Sequence, residues 1–122
     1  MSVTPAGGEH LPLAKLLRLV GLGVRGRRAV IGVQQVRQAA QRGKLHLAIA
    51  ASDASHNSMD KALPLLRARN VKVVMGPSSA ELGSAVGREK TAMVGIVDAG
   101  LAKGIRALEL SAPPDDREEG AG

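Results

Sequence analysis

Apolar positions in this chain switch repeatedly between helical and strand spacing. Leu13, Leu16, Leu17 and Val20 fall at i, i+3, i+4 and i+7, a helical stripe with Lys15 and Arg18 turned outward. Gly21, Gly23 and Gly26 are read as breaking that helix. Residues 27–31 predict a short strand. At Gly32 the period changes: Val33, Val36 and Ala40 share one helix face, while Gln34, Arg37, Gln38, Gln41 and Arg42 take the other. Gly43 is the expected C-cap. Leu45, Leu47 and Ile49 alternate with His46, Ala48 and Ala50, and the small apolar alanines suggest a strand covered on both faces. Met59, Ala62, Leu63 and Leu66 mark the next helix. Asn57 or Ser58 is its expected cap, and Pro64 is placed to kink it or to restrict its first turns. Residues 71–75 read as a strand, and Ser78-Ser79-Ala80-Glu81 as a capping box opening a helix with Leu82 and Val86. Residues 92–97 predict another strand. Asp98 then caps a last helix whose inward face is Leu101, Ile105 and Leu108.

Helices alternating with strands predict the α/β class, with helices on both faces of a sheet in three layers. Residues 1–10 are expected to form a flexible arm and residues 11–110 one domain. Residues 111–122, with Pro113-Pro114 and the acidic positions beyond, are expected to be a disordered tail. At 122 residues the domain is long enough for a real core.

Charge changes the picture. The net charge is +6 and the isoelectric point about 10.5, which points to a polyanionic partner. It is unevenly placed. Residues 1–50 hold Lys15, Arg18, Arg25, Arg27, Arg28, Arg37, Arg42 and Lys44 against Glu9 alone, whereas 111–122 hold Arg117 against Asp115, Asp116, Glu118 and Glu119. The helix start at Gly32 would offer unpaired N–H groups and a partial positive charge to phosphate, and Gln side chains there both donate and accept, which suits base edges. The chain has no Phe, Trp or Tyr, so the base-stacking platforms of RNA-recognition motifs and oligonucleotide-binding barrels cannot be built. It has no cysteine, which removes disulfides, thiolate metal sites and cysteine nucleophiles and suits a reducing cytoplasm. No apolar run approaches the ~20 residues of a membrane span, and residues 1–10 carry Glu9 with no Lys or Arg, unlike a signal peptide.

Other chemistry falls away on context. Gly21 to Gly26 matches G-x-G-x-x-G, but a helical stripe precedes it and residues 42–46 hold no acid, where a dinucleotide site needs a preceding strand and an acidic residue about 20 positions on. The glycines are read instead as a flexible turn that lets Arg25, Arg27 and Arg28 approach a polyanion. Asp53, Ser55, His56 and Asn57 follow a strand, as hydrolase residues can, but they are also the standard turn and cap residues, and no nucleophile elbow surrounds Ser55. His10, His46 and His56 lack zinc spacing, and Asp53 and Asp60 lack a calcium-loop series. No catalytic residue, metal or cofactor is expected.

Several segments in order carry a family resemblance: Val30-Ile31-Gly32-Val33-Gln34-Gln35, Arg42-Gly43-Lys44-Leu45, and 50–57 (Ala-Ala-Ser-Asp-Ala-Ser-His-Asn). They continue with 65–71 (Leu-Leu-Arg-Ala-Arg-Asn-Val), 81–87 (Glu-Leu-Gly-Ser-Ala-Val-Gly) and 97–102 (Val-Asp-Ala-Gly-Leu-Ala). Over residues 11–108 the chain resembles the ribosomal protein L7Ae/L30e family of RNA-binding domains, most of all its small bacterial YlxQ-like members. The resemblance implies an α/β/α sandwich with a mixed central sheet that binds kink-turn or kink-turn-like RNA without enzymatic activity. In that family the helix after the glycine presents side chains to sheared G·A pairs, and a loop before the last strand packs on a bulged base. Carried over by position, the first surface is Gly32, Val33, Gln34, Gln35 and Gln38, with Arg42 a turn further on. The second is the loop Arg88, Glu89, Lys90, Thr91 and Ala92. Asp53 is expected near both, and Arg28, Arg37 and Lys44 complete the candidate site. The strongest kink-turn binders carry Gly-Thr-Asn-Glu where this chain has Gly32-Val33-Gln34-Gln35, so a carboxylate is replaced by the Gln35 amide. The expected partner is structured RNA, ribosomal RNA or the ribosome included, met by a monomer. A protein-interaction scaffold on the same fold is the alternative.

Overall fold

The computed structural model describes residues 12–111. The expected arm at 1–10, and the tail at 111–122 beyond its first residue, lie outside the described residues. Nine elements follow in chain order: α1 (Leu13–Arg25), β1 (Ala29–Ile31), α2 (Val33–Gln41), β2 (Leu47–Ala50), α3 (His56–Ala68), β3 (Lys72–Met75), α4 (Ser79–Val86), β4 (Met93–Ile96) and α5 (Ala99–Ser111). The four strands form one sheet in the order β1-β4-β2-β3. β4 is antiparallel to both β1 and β2, and β2 is parallel to β3, so the sheet is mixed. Among the described residues no helix is long and apolar enough to cross a membrane.

Alternation along β2 decides what lies on each face. Leu47 and Ile49 point with Val74, Val94 and Ile96 into a cluster completed by Leu16 and Val20 of α1, Leu82 and Val86 of α4, and Ala102 and Ile105 of α5. Ala48 and Ala50 point the other way with Met93, against Val36, Ala39 and Ala40 of α2 and Ala62 and Leu66 of α3. The result is a three-layer sandwich, with α1, α4 and α5 on one face and α2 and α3 on the other. Alanines supply much of the second cluster, so α2 and α3 lie close to the sheet.

Several expectations need correction. Gly21 and Gly23 do not break α1, which runs on to Arg25 with both glycines buried. A Cβ on Gly21 would lie 2.9 Å from the Ala85 carbonyl oxygen of α4, and one on Gly23 would lie 2.4 Å from Cδ2 of Leu101. These glycines let neighbouring helices approach, so no flexible turn presents Arg25, which sits in the last helical turn. The cap of α3 is Ser55, ahead of both Asn57 and Ser58, and its Oγ accepts from the Ser58 N–H at 3.1 Å. Helix α3 continues through the exposed Pro64. Other local signals appear as expected. Ser78 and Glu81 form a reciprocal capping box, and Asp98 accepts from the Leu101 N–H at 2.7 Å. The C-cap of α2 is Arg42 rather than Gly43, which follows it at φ 70°.

Candidate nucleic-acid interface

β1, β2 and β3 all end where β4 begins, so four connections converge at one end of the sheet. Backbone hydrogen bonds lock them together. The Gly32 N–H donates to the Met93 carbonyl at 2.8 Å and the Ala51 N–H to the Ala92 carbonyl at 2.8 Å. The start of α2 and the end of the 88–92 loop are thus bonded through adjacent residues.

Gly32 opens α2 at φ 97°, ψ 153°, a backbone conformation that other residues rarely adopt. It has no side chain to cap the helix, and no acid sits in the first turn. Ser55, Ser78 and Asp98 cap α3, α4 and α5 with side-chain oxygens, whereas the first N–H groups of α2 are left for an outside acceptor. Gln34 and Gln35 are exposed beside them, while Val33 is half-buried and packs on the α2–α3 core.

The 88–92 loop is held tightly. The Arg88 N–H donates to the Gly83 carbonyl at 2.7 Å and the Thr91 N–H to the Ser79 carbonyl at 3.0 Å. A Cβ on Gly83 would meet Lys90 Cα at 2.8 Å and the Glu89 carbonyl at 2.9 Å, so the loop lies directly on α4. Arg88, Glu89 and Lys90 are exposed and Ala92 half-buried, but Thr91 is only 5% exposed. Thr91 therefore anchors the loop.

Asp53 stands with the loop and α4. Its Oδ1 accepts from the Ser79 N–H at 2.7 Å and its Oδ2 from the Ser79 hydroxyl at 3.1 Å. The Ser79 backbone bond is the largest influence holding its carboxyl below the ordinary 3.8. The Ser79 hydroxyl and the Lys90 charge act in the same direction, and partial desolvation opposes them.

The remaining residues flank α2 further along. Gln35, Gln38, Arg42 and Lys44 surround a cleft of about 160 Å³ whose apolar wall includes Val30 and Val97. Among the described residues, their side chains make no hydrogen bond or ion pair. Arg28 is exposed in the turn before β1, and its carbonyl accepts from the Val97 N–H at 2.9 Å, next to that cleft. Arg37 stands apart. Four residues after Val33, it shares that residue's flank of α2, away from the cleft, and is half-buried rather than on the exposed polar face that the period predicts, with its Nε shielded from solvent and unpaired among the described residues.

The geometry is therefore an uncapped helix start with two exposed amides, a rigid charged loop beside it, and a cationic cleft along the same helix. Val30, Val97, Ser79 and Gly83 shape this surface and escape a reading of the sequence, because each matters through a packing contact or hydrogen bond that no local pattern marks. Among the described residues no cluster of three or more His, Cys, Asp or Glu could hold a metal ion.

The family profile described as "Ribosomal protein L7Ae/L30e/S12e/Gadd45 family" matches residues 14–105. The chain belongs to this family. Two solved structures agree with the L7Ae/L30e/S12e/Gadd45 assignment. A protein of unknown function from Bacillus halodurans C is 33% identical, with a TM-score of 0.74, over 80% of this chain and 99% of its own. The Giardia lamblia 15.5kD RNA binding protein is 25% identical, with a TM-score of 0.64, over 79% of this chain and 89% of its own. No curated protein matches. The matched stretch of the L7Ae/L30e/S12e/Gadd45 profile runs from α1 into α5 and contains every candidate residue named above.

Proposed function

We propose that this protein binds structured RNA of the kink-turn type, ribosomal RNA included, as a monomer in the cytoplasm and without catalysing a reaction. The observation that carries the reading is the juxtaposition at Gly32. An uncapped helix start with Gln34 and Gln35 exposed is bonded through residues 92–93 to the loop that carries Arg88 and Lys90. Family membership and the likeness to the Giardia RNA binding protein support it. In this reading the α2 N–H groups and the Gln amides face the G·A pairs. Arg42, Lys44 and Arg28 meet phosphates along the cleft, and the 88–92 loop meets the bulged nucleotide. Asp53 acts indirectly, by fixing Ser79 and with it the loop.

Amides accept a hydrogen bond from a guanine edge without the charge assistance that a carboxylate gives. The wild-type protein is therefore expected to discriminate only modestly between a kink-turn RNA and the same RNA with its G·A pairs replaced. The variant Gln34→Asn/Gln35→Glu is expected to gain roughly 1–3 kcal/mol of discrimination, the worth of a good bidentate base contact on DNA. Binding titrations of both proteins against both RNAs check this. Equal, salt-insensitive binding of all RNAs would instead favour a scaffold whose basic face meets an acidic protein.

A further inference from the structure

The outer face of α1 carries a second basic surface, on the opposite side of the sheet from α2. Lys15, Arg18, Leu22 and Arg25 recur at intervals of three and four, so they form one stripe. All four are exposed, and Leu22 keeps 52% of its surface in solvent. Between this stripe and α4 runs a groove of about 470 Å³, walled by Arg18, Leu22, Arg25, Ser84 and Ala85. Glu81 also lines it, but its Oε1 accepts from the Ser78 N–H at 2.8 Å within the capping box. Among the described residues Lys15, Arg18 and Arg25 have no ion-pair or side-chain hydrogen-bond partner.

We propose that this groove is the docking surface for the chain's own acidic residues 112–122. Placement comes first. Ala29 pairs with Ile96, so α1 runs toward that end of the sheet and α5 runs away from it. Gly23, near the end of α1, abuts Leu101 in the first turn of α5. From that contact the two 13-residue helices run in opposite senses, so α5 leads back toward the end of the sheet from which α1 starts. Reach comes second. The eleven residues after Ser111 span up to about 36 Å when extended, against about 20 Å for the whole of α1. Charge comes third. Asp115, Asp116, Glu118 and Glu119 outweigh Arg117. Asp115 and Glu118 are ~10 Å apart on an extended chain, which matches the two helical turns, also ~10 Å, between Arg18 and Arg25.

A spin label tests this in the 122-residue chain. The chain has no cysteine, so Ala121→Cys gives one labelling site at the far end of the tail. The expected result is loss of backbone amide signals along the outer face of α1 and at Ser84 and Ala85. Those signals should return near 1 M salt, where the Debye length is ~3 Å, and in Arg18→Glu/Arg25→Glu. Reversing the four tail acids to lysine should restore them too, leaving the folded part untouched. Signal loss confined to the end of α5, or centred on α2 and the 88–92 loop, overturns the proposal. So does loss along α1 that persists after charge reversal.

Discussion

Asp53 commits both carboxylate oxygens to Ser79, and the consequence is a pH dependence of known sign. A carboxyl held below its ordinary value stabilises the fold above that value and loses the effect as pH falls through its depressed folded-state pKa. Thermal melts of wild type and Asp53→Asn should therefore differ at neutral pH, with the variant less stable. The gap should close at acid pH, once Asp53 is protonated, and a gap unchanged down to that range would contradict this account. Gly83 is the second residue with a defined consequence. In Gly83→Ala the new Cβ meets backbone, so α4 or the 88–92 loop must move, at a cost of about 1–3 kcal/mol. RNA affinity should fall while the circular dichroism of the fold is kept. At this scale the sequence reading succeeds where a partner is close by. Ser78 with Glu81, and Asp98 with Leu101, bond across three positions. It fails for Asp53, whose partner lies 26 positions away, and for Thr91, which nothing nearby marks as buried.

Element boundaries show the same limit in another form. The apolar stripe of α3 begins at Met59, but its first turn is the polar His56, Asn57 and Ser58. A stripe cannot reveal a turn that buries nothing, so the cap falls a turn earlier than periodicity suggests. The glycines of α1 mislead for a different reason. A helical glycine costs about 1 kcal/mol relative to alanine, and its compensation, contact with Ala85 and Leu101, lies on other helices. The two positions should respond differently to alanine. Gly21→Ala drives a Cβ against a backbone carbonyl and should lower stability by about 1–3 kcal/mol. Gly23→Ala meets only the end of the Leu101 side chain, which can rotate aside, so the change should stay below ~1 kcal/mol of either sign. Denaturant melts of the two variants separate these outcomes. In helix α2 the period places Gln34, Gln38 and Arg42 on the polar face, but it also places Arg37 there, whose Nε is shielded from solvent.

At the scale of the whole molecule, basic side chains of the first 50 residues sit on two faces, Lys15, Arg18 and Arg25 of α1 on one side of the sheet and Arg42 and Lys44 beside α2 on the other. That division is invisible in a count of charges along the first 50 residues. It predicts unequal effects on RNA binding. Arg42→Glu should weaken affinity and make the salt dependence shallower by about one ion, while Arg18→Glu leaves the slope unchanged. Titrations at several salt concentrations check both, and equal effects would mean that RNA wraps around the two faces. Strand order was likewise beyond the reach of pattern. Nothing in residues 93–96 announces that they will lie between β1 and β2. Their position sets an order of assembly during synthesis. Ala29 needs Ile96 and Ile31 needs Val94, so β1 leaves the ribosome seconds before its sheet neighbour β4, at roughly 5–20 residues per second. The parallel β2–β3 pair can form earlier, once α3 has crossed over. Gly32 and the 88–92 loop, which meet through Met93 and Ala92, come together only afterwards. The basic residues of α1 and those flanking α2 are therefore synthesised before the strand that fixes β1, and with it the start of α2, in the sheet.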